Sequence, residues 1–209
     1  MAEHVVRRAD DVRRAGSQQQ RQRRDRGIDA LLKGRAEGST DVTRRGDLHD
    51  LVALAKERFG RLDVLVSNAG IGPVSALGEL RVDDWDRMVD VNVKGVLHGI
   101  AAALPVFRAK GGGHFVTVAS TAATKAAVRV ICEGLRQEAG ESLRVTLVTP
   151  GMVRTGFGQD ASEDVRAWFA AMADLGIGPE AIADAIAYAI SRPQRVGVGE
   201  IVVRPAAQA

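Results

Sequence analysis

The chain is poor in the residues that mark special classes of protein. A single cysteine, Cys132, stands among 209 residues, so neither an intrachain disulfide framework nor a multi-cysteine zinc site can be built. The four histidines form no H-x-x-x-H pair, and no metal centre is expected. Aromatics amount to two Trp, one Tyr and five Phe, none of them before Phe59. No apolar run reaches the roughly 18 residues of a membrane span. The first twenty residues are rich in arginine and glutamine, where a secretory signal needs an apolar block. These absences predict a cytoplasmic protein without a membrane role.

What is present fits one ordinary globular domain, with 45% hydrophobic and 26% charged residues, a balance that excludes disorder and fibrous repeats. The net charge of +3 is unevenly spread. Residues 1–46 carry +5 and the remainder −2. The excess lies in RRADDVRRAGSQQQRQRRDRG, which has no aromatic and too few apolar residues to offset its ordering entropy. Residues 1–37 therefore read as a basic, atypical segment, a solvated tail or a thin helix near residues 6–15, and residues 38–209 as the folded domain. A basic-tailed module for nucleic acid or another polyanion is the less favoured alternative.

From Asp47 onward apolar periodicity is strong. DLHDLVALAKERF predicts a helix from Asp47, as its N-cap, to Phe59, with Gly60 as its stop. LDVLVSNAG carries the short apolar run of a strand buried on both faces. A helix over Asp83–Val106 follows, bent near Gly95 and ending near Pro105. Then come the strand HFVTVAS, a helix over Thr124–Ala139, the strand RVTLVTPG, a helix over Pro179–Ser191 and the strand GEIVVRP. Strands alternating with helices predict an α/β domain with a parallel sheet covered on both faces.

In such a sheet the ligand lies beyond the carboxyl ends of the strands. The exits read Asp41-Val42-Thr43, Ser67-Asn68-Ala69-Gly70, Ala119-Ser120 and Thr149-Pro150-Gly151-Met152-Val153-Arg154-Thr155. Small residues with short polar side chains recur at all four, which suits a flat polar cofactor lying close to backbone.

These stretches, in this order, resemble the short-chain dehydrogenase/reductase family. SNAG is similar to the family's N-N-A-G exit, DVNVKG to the helix with its structural Asn, FVTVAS to the strand ending in its catalytic Ser, and PGMVRT to its Pro-Gly turn. The resemblance implies a Rossmann-like doubly wound parallel sheet and an NAD(P)-dependent oxidoreductase interconverting a hydroxyl and a carbonyl on a small substrate. It places catalysis at Ser120, Lys125 and Asn92. It places the cofactor, NAD or NADP, against Asp41, Val42, Asn68, Ala69, Gly70, Lys125, Pro150, Gly151, Val153 and Thr155. A homodimer or homotetramer is also implied.

Two family features are missing. No T-G-x-x-x-G-x-G turn precedes Asp41, so the phosphate cradle at a helix N-terminus and the first one or two strands are expected to be lacking. The family's Tyr-x-x-x-Lys pair is also broken, because the position four before Lys125 is Thr121. A threonine hydroxyl cannot ionise as a phenol does. This opens a second reading, a catalytically inactive remnant or scaffold of the same fold. Each residue also has a plainer role. Ser120 could be a strand-end serine, Lys125 an exposed first-turn lysine, and Asn92, Asn68, Gly70, Pro150 and Gly151 shapers of backbone. Tyr188 and Cys132 read as core, His114 as a solvated loop residue, and Trp85, Trp168 and Phe169 as helix packing or lid.

Overall fold

Apolar runs without alternation need cover on both sides, and the computed structural model, which describes residues 5–7, 40–120 and 123–208, supplies it. The elements in order are β1 (Val5–Arg7), α1 (Arg45–Phe59), β2 (Val64–Ser67), α2 (Val82–Val89), α3 (Gly95–Lys110), β3 (Gly113–Val118), α4 (Ala123–Glu138), β4 (Leu143–Pro150), α5 (Glu163–Ala171), α6 (Pro179–Ser191) and β5 (Glu200–Val203). The five strands stand in chain order in one sheet. Strands β2 to β5 are parallel, with Leu65 beside Phe115, Phe115 beside Val145 and Val148 beside Ile201. The side chains alternate between two cores. Leu65, Phe115, Val145 and Leu147 pack with Leu48 and Val52 of α1, Ala103 and Phe107 of α3 and Val128 of α4. Val64, Val66, Val116 and Val148 pack with Ile182 and Ile190 of α6. This two-faced cover is the doubly wound arrangement.

Residues 5–7 differ from the sequence reading, which allowed a helix from residue 6. They form a strand antiparallel to β2, with Val5 opposite Val66 and Arg7 opposite Val64. Apart from residues 5–7, the basic segment 1–37 lies outside the described residues.

Helix boundaries also shift. Helix α1 starts at Arg45, with Arg44 as a cap that makes no side-chain bond. Asp47 is not the cap; from the first turn its carboxylate accepts the Asp41 N–H at 3.0 Å. Gly60 does end the helix, at φ 71°, a left-handed geometry that glycine adopts without penalty. The expected single helix from Asp83 is α2, a π-helical turn over Asp90–Lys94, and α3. Pro105 lies inside α3, which runs on to Lys110. The carbonyl this proline leaves without an N–H belongs to Ala101, which is exposed, so water can satisfy it. The continuous helical stretch Val82–Lys110 is long and apolar enough by length and composition to cross a membrane. In the fold its Val96, Ala102, Ala103 and Phe107 are buried against α1 and the sheet.

Close packing of α3 brings Gly95 against the Val42 turn. A Cβ there would lie 2.8 Å from Val42 Cγ2, closer than carbons can approach. Gly95→Ala is expected to destabilise the chain by about 2 kcal/mol through overpacking, read as a lowered urea midpoint at unchanged slope.

Candidate functional site

The exits of β2, β3 and β4 meet at one end of the sheet, and α4 begins almost immediately after β3. This short connection puts Lys125 in the first helical turn, where its side chain folds back toward the strand it has just left. Lys125 is 4% exposed, and its Nζ donates to the Val118 carbonyl at 2.9 Å. It is not the exposed first-turn lysine of the plainer reading. Removal from water pushes its pKa down to about 8, slightly opposed by Cys132 two turns along the same face of the helix.

Asn92 sits in the π-helical turn, where one extra residue per turn swings its side chain into the interior; it is 1% exposed. Its Oδ1 accepts the Ile71 N–H at 2.9 Å. Its Nδ2 donates to the Ile71 carbonyl at 2.9 Å and to Thr124 Oγ1 at 3.1 Å. One amide thus ties the loop after β2 to the start of α4. Thr124 was not anticipated from the sequence, although it stands next to Lys125.

Gly70 completes this cluster. A Cβ on Gly70 would find Asn92 Oδ1 and Lys125 Nζ, each 3.4 Å away, as its nearest neighbours. The absent side chain therefore leaves a notch about one methyl group deep beside the lysine nitrogen. Ser120 is half-buried at the exit of β3, Asn68 is exposed at the exit of β2, and Ala69 between the two loops is buried. Ser120, Lys125, Asn92, Asn68, Ala69 and Gly70 are therefore gathered at one end of the sheet. Thr121 lies outside the described residues.

The other expected positions fall around this centre. Asp41 and Thr43 form a turn into α1 in which the Thr43 N–H and hydroxyl donate to Asp41 Oδ1 at 3.0 and 2.8 Å. These bonds hold the Asp41 carboxyl below its usual range. Val42 is buried, and its carbonyl accepts from His98 Nδ1 at 2.9 Å. Pro150 closes β4. The Gly151 N–H donates to the Val203 carbonyl at 2.7 Å, and a side chain at Gly151 would collide with Arg204 and Gln208. Val153 pairs with Ile177. Thr155 is exposed, and its hydroxyl accepts the Phe157 N–H at 3.3 Å.

The loop after β4 packs against the loop after β2, a contact the sequence did not signal. The Phe157 ring occupies the space a side chain would need at Gly72. Ser162 N–H donates to the Val74 carbonyl at 2.9 Å, and Arg81 Nη2 to the Asp160 carbonyl at 3.2 Å. Trp168 is exposed and meets Phe169 edge to face at 5.2 Å.

Two side chains depart from expectation. Tyr188 is 52% exposed, with the Arg192 guanidinium 4.4 Å from its ring centroid. Helical geometry puts it roughly 240° around α6 from Ile182 and so off the buried stripe. His114 is fully buried, because β3 lies between β2 and β4 and is covered by α6. Cys132 is buried as expected, and burial raises its thiol pKa. Among the described residues no group of three or more His, Cys, Asp or Glu could hold a metal ion.

Comparison with known proteins agrees with this geometry. The family model for short chain dehydrogenase matches residues 28–166. An uncharacterized oxidoreductase of Staphylococcus saprophyticus is 41% identical over 185 residues, spanning 81% of this chain and 75% of the relative. The alcohol dehydrogenase of the archaeon Thermococcus sibiricus, complexed with 5-hydroxy-NADP, superposes with a TM-score of 0.72 at 25% identity, covering 90% of this chain and 83% of that one. A short chain dehydrogenase/reductase of Burkholderia phymatum in complex with NAD superposes with a TM-score of 0.71 at 26% identity, over 87% and 76%. With its ordered strand exits, its two-faced sheet and these matches, the chain belongs to the short-chain dehydrogenase family.

Proposed function

We propose that the chain is a nicotinamide-dependent oxidoreductase that interconverts a hydroxyl and a carbonyl on a small substrate at the exits of β2, β3 and β4. The observation that carries this reading is the Lys125–Asn92–Gly70 cluster, a buried ammonium and a pinned loop that leaves no side chain at Gly70, with Ser120 at the adjoining exit.

The residues present fit the nicotinamide riboside half of a dinucleotide. Lys125 would donate to the ribose hydroxyls. Asn68, Ala69 and Gly70 would give the ring a flat edge, and Pro150, Gly151, Val153 and Thr155 would flank its carboxamide. Asp41 and Val42 would border the adenine. When bound, the cofactor supplies or accepts a hydride. The Ser120 hydroxyl would hydrogen-bond the substrate oxygen, and Asn92 would hold the loop that carries Gly70. Which of NAD and NADP is used is not decided by these residues; similar structures hold one or the other kind.

The described residues offer no equivalent fit for the pyrophosphate. Strand β1 runs against β2 and leaves the sheet at its Val64 end, away from the exits. This reversed strand and Thr121 four residues before Lys125 favour the second reading, a non-catalytic chain of the same fold. Losing a positioned general acid costs about 10² to 10⁴ in rate, so slow turnover is expected. The test is oxidation of NADPH or NADH with a panel of small aldehydes and ketones. Cofactor-dependent reduction that falls about tenfold in Ser120→Ala supports the enzyme; reduction no faster than without protein supports the non-catalytic chain. A cytoplasmic location and a homodimer or homotetramer complete the proposal, the latter supported by exposed Leu97 on α3 and Val130 on α4.

A further inference from the structure

The geometry points to Lys125 as a nucleophile that forms a reversible imine with a small, unhindered aldehyde entering over Gly70. The inference goes beyond the redox reading, because it needs neither cofactor nor hydride. It starts from what the missing tyrosine leaves behind. Among the described residues the ammonium of Lys125 has one acceptor, the Val118 carbonyl. Beside it lies the Gly70 notch, bordered by Asn92 Oδ1. No carboxylate enters among the charges that act on it. Lys110 and Lys94, by contrast, are each paired to a carboxylate, Asp63 and Asp90. A desolvated lysine without a counter-ion is the usual setting of an amine nucleophile. With its pKa near 8, about half of Lys125 is the free amine at pH 8, where an ordinary lysine is almost wholly protonated.

The step balances without an oxidant or reductant. The Nζ lone pair attacks the carbonyl carbon, and the C=O π pair moves to oxygen, which takes up a proton to give a carbinolamine. Loss of that hydroxyl as water, with the remaining N–H proton, leaves the C=N bond. The half-buried hydroxyls of Ser120 and Thr124 stand at the same exit and are placed to hydrogen-bond the carbonyl oxygen as it becomes a hydroxyl. The absence of a side chain at Gly70 restricts access to slim aldehydes.

The experiment treats the full chain at pH 8 with propanal and sodium cyanoborohydride, which reduces an imine to a stable propyl-lysine, and locates the label by peptide mass spectrometry. Lys56 and Lys94, on the surface of the same molecule, serve as internal references, so no variant has to fold. Early labelling of Lys125 at least about tenfold above both is expected from its larger free-amine fraction. Labelling of Lys125 equal to or below Lys56 overturns the proposal. Gly70→Val, which fills the notch, is expected to suppress the Lys125 label and leave that of Lys56 unchanged; an undiminished Lys125 label in a variant with native circular dichroism contradicts the access route. The same samples titrated with NADH and NADPH separate the two ideas. Label without cofactor binding leaves the imine standing and removes the redox reading; binding without label does the reverse.

Discussion

Asn92→Ala is expected to lower stability by about 3 kcal/mol and to abolish binding at the strand exits. The amide is 1% exposed and makes three hydrogen bonds, two of them to the Ile71 backbone. Truncation leaves the Ile71 N–H and carbonyl without partners in a half-buried loop, and each such group costs about 1–3 kcal/mol. The Ile71 loop also carries Gly70, so its release would open the notch beside Lys125. Asn92→Asp distinguishes the bonds from the volume. An aspartate can still accept the Ile71 N–H, but it would set a carboxylate against the Ile71 carbonyl, so stability should fall here too. Urea denaturation reads the first effect, and cofactor calorimetry the second. Native stability in Asn92→Ala would contradict the assignment of that amide as the tie between β2 and α4.

The second large effect is acid lability through His114. Thr146 Oγ1 donates its only proton to the Val198 carbonyl at 2.6 Å, so His114 Nε2, 2.8 Å from the same oxygen, must be the donor between them. Its Nδ1 is buried and finds no acceptor among the described residues, so a proton there would be unpaired and the ring is neutral near pH 7. A second proton would stand on that nitrogen, away from water and near the Arg144 guanidinium. Burial first, and Arg144 second, lower the pKa from 6.5 to about 3. Below pH 6.5 the unfolded chain takes up a proton that the folded chain refuses. Stability present above pH 6.5 is thus lost as pH falls toward 3, at up to about 1.4 kcal/mol per unit and roughly 4 to 5 kcal/mol in full. His114→Gln, which keeps a donor for Thr146, is expected to flatten this dependence in urea titrations between pH 7 and 4. An unchanged slope would mean that other groups set the acid limit.

Much of this architecture was legible from the sequence because the cues were local. Gly60 ends α1 at left-handed φ, and Pro179 opens α6 where the sequence put it. The continuous apolar text of β3 and β4 announced strands buried on both faces. Legibility failed where the deciding contact is distant in the chain. Pro105 read as a stop because the exposure of Ala101 is a tertiary fact. His114 read as solvated because its central place depends on β2 and β4 flanking β3. Lys125 read as ambiguous, since its burial depends on how soon α4 follows β3. The Phe157 contact left no trace because it needs Gly72, 85 positions earlier in the chain, to make room. Tyr188 was a different case, since helical phase alone would have placed it on the outer face of α6.

The cluster at the exits was legible as a set of residue types, whereas its chemistry depends on what lies around them. Small residues at successive exits follow from the motifs, and the structure adds the notch at Gly70 and the buried ammonium beside it. The missing glycine turn is equally visible in sequence. The reversed β1 at the edge of β2 is visible only in the fold.

The central claim is that the exits of β2, β3 and β4 form a nicotinamide site around Lys125. Calorimetric titration of the full chain with NAD, NADH, NADP and NADPH, beside Lys125→Met, tests it most directly. Saturable binding of one of the four with a Kd of about 1 mM or tighter, weakened at least about tenfold in Lys125→Met with native circular dichroism, is the predicted result. No binding of any of them at millimolar concentration, or equal binding in Lys125→Met, would contradict it.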